Sequence, residues 1–152
     1  MNTKVMNLQT VKMSDLSFDP QLFRPMKSGR VIDSHFSSEG GLMKGTNYAI
    51  VGDPGIGKST LILQALSALN QANTTLYVSG EESAEQVSER SVRLGIKEDV
   101  LFIGETHLEK ILKLSKDVQP KVIVIDSIQT MVTDLSTSAP GSVTQVRDCA
   151  AQ

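Results

Sequence analysis

Short apolar segments alternate with amphipathic segments from residue 48 onward. Four segments are rich in β-branched or other apolar residues, as strands usually are: 48–51, 74–79, 100–103 and 121–126. Between them lie three segments with the character of amphipathic helices: 58–71, 84–94 and a third that ends near 118. This alternation predicts an α/β domain in which helices flank a parallel sheet and the crossovers are right-handed.

Local signals set the expected ends and burial of these elements. Ser83 and Gln86 have the spacing of a capping box, and Thr106 and Glu109 repeat that spacing before the third helix. The fourth apolar segment is almost unbroken, which is typical of a strand that is buried on both faces of a parallel sheet. We expect the third apolar segment to be a short buried strand as well.

The most informative motif lies between the first apolar segment and the first helix. It reads G-x-x-x-x-G-K-S and extends over nine residues: Gly52, Asp53, Pro54, Gly55, Ile56, Gly57, Lys58, Ser59 and Thr60. A strand before this motif and a helix after it are the context of a phosphate-binding P-loop. We therefore predict that these residues bind a nucleotide.

Physical chemistry suggests a role for several residues of the motif. Gly52, Gly55 and Gly57 allow backbone conformations that are closed to other residues, so that successive N–H groups can surround a phosphate chain. The helix that begins near Lys58 adds unpaired N–H groups and the positive end of its dipole. Lys58 is expected to reach the outer phosphates, and Ser59 to ligate Mg²⁺ through its hydroxyl.

Three further residues are candidates for the chemistry of hydrolysis. Asp126 ends the fourth apolar segment, where it can face the P-loop and hold Mg²⁺; the alternative is a plain aspartate in a turn. Glu81 and Glu82 follow the second apolar segment at the same sheet edge, where one of them could activate water. We prefer Glu81 because it lies nearer the strand end. Alternatively, both are carboxylates favoured by a helix N-terminus.

Composition excludes little beyond a few classes of site. With 152 residues, of which 39% are hydrophobic, the chain can bury one core, and its net charge of −2 gives no overall attraction to nucleic acid or anionic membranes. Cys149 is the only cysteine, which excludes an intramolecular disulfide and a cysteine-based zinc cluster. No apolar run is long enough to span a bilayer. These features fit a soluble, cytoplasmic protein without a zinc site.

The first 30 residues differ from the rest. They carry a slight excess of basic residues, and Pro20 and Pro25 interrupt any helix. We expect a mobile or strand-like lead-in over 1–30, followed by the nucleotide-binding domain over 31–152.

Four blocks of sequence together resemble the bacterial RadA (Sms) family of DNA repair proteins, which are RecA-like P-loop ATPases. The first block is the P-loop with the four residues after it, and the others follow in the family's order: L-Y-V-S-G-E-E-S at 76–83, V-I-D-S-I-Q-T at 124–130 and P-G-S-V-T-Q-V-R at 140–147. The resemblance covers about residues 30–152, and the last three blocks are much more specific than a P-loop.

This resemblance implies a DNA-dependent ATPase of recombinational repair that uses ATP and Mg²⁺. Such proteins bind single-stranded or branched DNA, drive branch migration, work as a ring of subunits and act in the cytoplasm, with a recombinase as a further partner. By the same resemblance, Glu81 activates the attacking water and completes the catalytic residues together with Lys58. Segment 131–142 resembles a loop that contacts DNA.

The sequence also departs from the family's pattern. RadA proteins usually begin with a four-cysteine zinc module, and no cysteine precedes Cys149. The remaining core strands, the second DNA loop, the Lys-Asn-Arg-Phe-Gly motif and the Lon-like domain are also missing. We therefore expect the N-terminal portion of a RecA-like core, without the strand that lies between the P-loop strand and the Asp126 strand. Such a chain should be marginally folded, prone to association, and close to background in ATP turnover.

Two other functions are open at this point. One is a non-catalytic nucleotide-binding fragment that folds fully only with a partner. The other is a different RecA-superfamily motor, such as a replicative helicase or a clock-type ATPase. The blocks at 124–130 and 140–147 favour the RadA family over these motors.

Overall fold

A computed structural model describes residues 25–29, 32–38 and 40–152. Most of the predicted lead-in over 1–30 lies outside the described residues. None of the helices in the described ranges is both long and apolar enough to cross a membrane. In chain order the elements are α1 (Asp33–Phe36), α2 (Lys58–Asn70), β1 (Thr75–Ser79), α3 (Ala84–Arg93), β2 (Leu101–Gly104), α4 (Leu108–Val118), β3 (Val122–Asp126), a 3-10 helix (Ile128–Thr130) and α5 (Val143–Ala150).

The three strands form one parallel sheet in the order β2-β1-β3. β1 lies in the centre, where Ser79 at its carboxyl end pairs with Gly104 of β2 on one side and with Asp126 of β3 on the other. Helices α3 and α4 connect successive strands. This arrangement confirms the predicted α/β class with a parallel sheet flanked by helices.

One face of the sheet packs against α2 and α3. Leu63 and Leu66 of α2, Tyr77 of β1 and Val87 of α3 form a buried cluster on this face. Because side chains alternate along a strand, the even-numbered residues of β3 point to this side together with Tyr77. Asp126, the last of them, therefore lies on the face that the P-loop helix covers.

The other face packs against α4, the 3-10 helix and α5. Its buried cluster contains Leu76 and Val78 of β1, Ile111 of α4 and Cys149 of α5, together with Met131, which follows the 3-10 helix. β1 thus contributes to both cores, and all five of its residues are buried.

The sequence signals predicted two helices well. α2 begins at Lys58 as expected and ends one residue before the predicted end. The capping box before α3 is confirmed, because the Ser83 hydroxyl accepts the N–H of Gln86 and the Gln86 side chain accepts the N–H of Ser83.

The second predicted capping box, Thr106 with Glu109, is wrong. α4 begins at Leu108 with His107 as its N-cap, so Thr106 lies one position too early, and no side chain caps this helix. The Glu109 carboxylate is used elsewhere, and a carboxylate for which nothing was predicted accepts the N–H groups before the helix. Glu105 accepts the N–H groups of Thr106 and His107, while Glu109 binds residues of a distant loop.

The predicted strand at 48–51 is also wrong. These residues form no regular secondary structure, and the side chain of Val51 is 91% exposed. Tyr48 instead makes an edge contact with Phe36 of α1, with ring centroids 5.0 Å apart. Within the described residues, β3 pairs with β1 alone, so the segment before the P-loop has no neighbouring strand to complete its hydrogen bonds.

Two strands are less buried than the sequence suggested. Leu101 of β2 is 40% exposed and Ile123 of β3 is 41% exposed. Both strands are edges of the sheet in the part of the chain that the structure describes, so neither has a second neighbour. An apolar run therefore marked β3 as a strand correctly but overstated its burial.

Candidate nucleotide site

The P-loop leads directly into α2. Gly55 and Gly57 have φ angles of 78° and 103°, which lie in the left-handed region that favours glycine. Gly57 is the N-cap of α2, and no side chain of the described residues caps the first N–H groups of the helix. Residues 52–57 are exposed to solvent. An exposed helix N-terminus without a side-chain cap offers backbone donors and a positive dipole end to an anion.

The side chain of Lys58 folds back over the loop. Its ammonium donates hydrogen bonds to the carbonyl oxygens of Gly52 and Asp53, at 2.7 and 2.9 Å. The alkyl part of the same side chain packs near Gly52, where an added Cβ would lie 3.7 Å from Lys58 Cδ. The cation therefore sits within the curve of the loop, where the outer phosphates of a nucleotide are expected.

The remaining P-loop positions divide into two groups. Pro54 and Ile56 are exposed at the tip of the loop. Ser59 and Thr60 are half-buried in the first turn of α2, the position from which the Ser59 hydroxyl would ligate Mg²⁺.

Topology brings the P-loop to the edge of the sheet where β3 ends. α2 packs against the face of β1 and is joined to it by a short connection, residues 71–74. The helix must therefore run antiparallel to β1, with its first residues near the carboxyl ends of the strands. Asp126 lies at that edge and on that face, so the topology directs the start of α2 toward the strand end that carries Asp126.

Asp126 has a fixed partner in the sheet. The hydroxyl of Tyr77 donates to Asp126 Oδ2 at 2.6 Å. Burial raises the pKa of the Tyr77 phenol above its ordinary value, the bond to Asp126 raises it further, and Arg90 opposes both effects. The phenol is thus a stable donor to this carboxylate.

The two glutamates after β1 have different surroundings. Glu81 is exposed, and its Oε1 accepts a hydrogen bond of 2.8 Å from the hydroxyl of Ser127, the residue after Asp126. Glu82 forms an ion pair with Arg90 of α3, and these side chains are 24% and 15% exposed. Glu81 and Asp126 are thereby brought to neighbouring positions, whereas Glu82 is directed toward α3.

Gly80 makes the close approach of these segments possible. Its N–H donates to the carbonyl of Asp126 at 3.2 Å. An added Cβ would lie 2.1 Å from Thr130 Oγ1 and 2.7 Å from Thr130 Cβ, so no larger residue fits without movement. The 3-10 helix that follows β3 is therefore packed directly on the end of β1.

The predicted DNA loop, 131–142, is partly anchored in the core. Met131 is fully buried, and the hydroxyl of Thr133 donates to Glu109 Oε1 at 2.5 Å. Beyond this anchor, Leu135 is 79% exposed. The segment contains no lysine or arginine, and Arg147 of α5 is exposed nearby in the sequence.

Sequence reasoning missed the side chains that position the carboxylates. Tyr77 and Ser127 each bind a residue that is distant in sequence, and Arg90 binds Glu82, which lies eight positions before it. For Tyr77 a signal did exist, since a tyrosine inside an otherwise apolar buried strand usually directs its hydroxyl to a polar partner. No comparable signal identified Arg90.

Comparison with known proteins adds two findings. A family model described as "ATPase: KaiC" matches residues 29–102. DNA repair protein RadA of Halalkalibacterium halodurans is 50% identical over 114 residues, and that of Pseudomonas aeruginosa is 51% identical over 113 residues; each match covers 74% of this chain and 25% of the relative. The Escherichia coli protein of the same name is 50% identical over 113 residues. The chain thus spans about a quarter of the length of these curated relatives.

Proposed function

Because this chain belongs to the RadA family of DNA repair proteins and has part of a RecA-like P-loop ATPase fold, we propose that it binds Mg-ATP and contributes to DNA-dependent ATP hydrolysis in recombinational repair. The observation that supports this proposal is the topology, which directs three features toward one edge of the sheet. They are the uncapped N-terminus of α2, the carboxylate of Asp126 and the carboxylate of Glu81.

Different residues at this edge would bind the phosphates and Mg²⁺. The backbone N–H groups of 52–60 and the ammonium of Lys58 supply donors and positive charge for the phosphates. Ser59 and Asp126 supply the oxygen ligands that Mg²⁺ prefers, directly or through water. When bound, Mg²⁺ would neutralise charge on the outer phosphates.

Glu81 is the better candidate for the base that activates water. Its carboxylate is exposed and accepts a hydrogen bond from the neutral hydroxyl of Ser127. Glu82 is paired with Arg90, which directs its carboxylate toward α3. We therefore keep Glu81 in the catalytic role and assign Glu82 a structural one.

We propose single-stranded or branched DNA as the macromolecular ligand, with segment 131–142 in contact with it. Because this segment lacks cations, its hydroxyl and backbone N–H groups would position the phosphates, and Arg147 would supply positive charge. Assembly into a ring, action beside a recombinase and a cytoplasmic location are further parts of this proposal, taken from the family resemblance.

A second candidate is a nucleotide-binding unit that is catalytically silent until a partner completes its sheet. Val51 is exposed, and the segment before the P-loop has no strand partner in the described part of the chain; both observations favour this candidate. DNA-stimulated ATP hydrolysis by the purified chain at a rate well above background would exclude it.

Nucleotide binding is tested with Lys58→Ala. Removing the ammonium should abolish Mg-ATP binding measured by calorimetry, because this cation compensates the charge of the outer phosphates. Lys113→Ala, which removes an exposed lysine of α4 on the opposite face of the sheet, is the matched control and should bind like the unmodified chain. Unchanged affinity in Lys58→Ala would refute the site.

The base is tested with Glu81→Gln in the presence of single-stranded DNA. The amide keeps the size of the side chain but cannot take a proton, so ATP turnover should fall at least about a hundredfold while Mg-ATP binding persists. Glu89→Gln, at an exposed position of α3, should leave the rate unchanged. Where the chain alone turns over too slowly, the comparison is made in a chain extended by the remaining RadA core.

A further inference from the structure

Tyr77 connects the interior of the sheet to the carboxylate that ends β3. It lies on the central strand, two residues before Ser79, which pairs in register with Asp126. Its side chain is fully buried, and its hydroxyl donates to Asp126 Oδ2 at 2.6 Å. Only one oxygen of the carboxylate is used in this bond.

The ring of Tyr77 has little freedom to move. It packs with Leu63 of α2 and Val87 of α3, and its centroid lies 6.0 Å from that of Phe102 on β2. A side chain that is held by three neighbouring elements keeps its hydroxyl at one place. The position of that hydroxyl is therefore decided by the core rather than by the nucleotide site.

A half-buried ion pair links α3 to the segment that follows β1. The guanidinium of Arg90 on α3 is paired with the carboxylate of Glu82, in the segment that follows β1. Within the described residues, Arg90 Nη1 and Glu82 Oε2 are buried and make no hydrogen bond. Both groups therefore depend on each other, which ties the turn after β1 to α3 beside Tyr77.

We infer that Tyr77 is a positioning residue for the metal-binding carboxylate: its hydroxyl holds Asp126 Oδ2 so that the other oxygen faces Mg²⁺ or a water bound to it. This inference rests on the proposed function. Hydrogen bonds from a neighbouring side chain orient a ligating carboxylate and prevent it from turning away, and losing such a partner typically costs about 10- to 100-fold in metal affinity.

The test is the Mg²⁺ dependence of ATP binding in Tyr77→Phe. Phenylalanine keeps the ring and its packing but removes the hydroxyl. Calorimetric titrations with ATP, at a series of Mg²⁺ concentrations and in EDTA, should show that the variant needs about tenfold more Mg²⁺ to reach the same ATP affinity. Its affinity for ATP in EDTA should equal that of the unmodified chain.

Two further variants separate positioning from a general loss of packing. Phe102→Leu disturbs the same cluster without touching the bond to Asp126, so it should lower stability in urea but leave the Mg²⁺ dependence unchanged. Asp126→Asn should lose the Mg²⁺ dependence, and adding Tyr77→Phe to it should have no further effect, because the two residues act as one unit.

The possible outcomes distinguish this inference from the proposed function. If the unmodified chain shows no Mg²⁺-dependent ATP binding, the proposed function itself fails. If the unmodified chain and Tyr77→Phe show the same Mg²⁺ dependence of ATP binding, positioning by Tyr77 is refuted while the nucleotide site stands. An equal loss of Mg²⁺ dependence in Phe102→Leu would reduce Tyr77 to a packing role.

Discussion

Two segments of this chain look alike in sequence and differ completely in structure. β1 and segment 48–51 are both short and apolar, both contain a tyrosine and a valine, and each is followed by a glycine. β1 is buried along its whole length between two parallel neighbours. The segment before the P-loop pairs with no strand among the residues that the structure describes, and Val51 is 91% exposed. An apolar, β-branched sequence thus becomes a strand only where neighbouring strands accept its hydrogen bonds.

The comparison also separates two kinds of role. β1 carries both hydrophobic clusters and holds Asp126 through Tyr77, so the geometry of the site depends on it. Segment 48–51 carries the P-loop but contributes nothing to either cluster. We therefore expect mutations in β1 to act on stability, and mutations before the P-loop to act on little besides nucleotide binding.

The largest expected difference is between Leu76→Ala and Val51→Ala. Leu76 is 1% exposed, and truncating it should lower the free energy of unfolding by about 2–5 kcal/mol, since the cavity cannot be refilled. Val51→Ala removes a solvated side chain and should change the free energy of unfolding by no more than about 0.5 kcal/mol. Urea unfolding followed by circular dichroism measures both. Comparable losses would mean that segment 48–51 is packed in solution.

The glycines after the two segments should also differ. Gly80→Ala forces Thr130 away from the end of β1 and should cost about 1–3 kcal/mol of unfolding free energy. At Gly52 an added Cβ meets only side-chain atoms, the nearest at 3.4 Å, so Gly52→Ala should cost clearly less. Gly104→Ala, with its nearest contact at 3.8 Å, is a control from β2. Equal losses of unfolding free energy in Gly80→Ala and Gly104→Ala would contradict the close packing of Thr130 against Gly80.

The smallest expected effect is on the pH dependence of stability. Glu98 lies in the segment before β2 and accepts hydrogen bonds from Ser67 of α2 and from Gln71, so that it connects this segment to α2. These hydrogen bonds lower the pKa of Glu98 from 4.5 to about 2. The pKa of Glu105 is lowered to about 2 mainly by the N–H of His107.

A lowered folded-state pKa gives stability that is present above the unfolded value and is lost as pH falls. The urea midpoint of the unmodified chain should therefore decline between about pH 4.5 and pH 2. Glu98→Gln should make that decline shallower, and Glu89→Gln should not. An equally steep decline in Glu98→Gln would show that this tie to α2 is not formed in solution.

Local features of the site were readable from the sequence. The glycines of the P-loop, the start of α2 at Lys58 and the capping box at Ser83 depend on residues a few positions apart, and spacing alone encodes such interactions. The order of strands and helices followed from periodicity for the same reason. The family resemblance also rested on short blocks, and the relatives at about 50% identity agree with it.

Only the tertiary structure decided which segments and side chains meet. The bond from Tyr77 to Asp126 spans 49 positions, and that from Ser127 to Glu81 spans 46. The failure of segment 48–51 to form a strand has the same origin, because strand pairing depends on a neighbour that may lie anywhere in the chain. The sequence by itself determined a phosphate-binding loop, a parallel α/β sheet and the carboxylates at its edge. The hydrogen-bond partners of these carboxylates depend on long-range packing, which local sequence spacing does not predict.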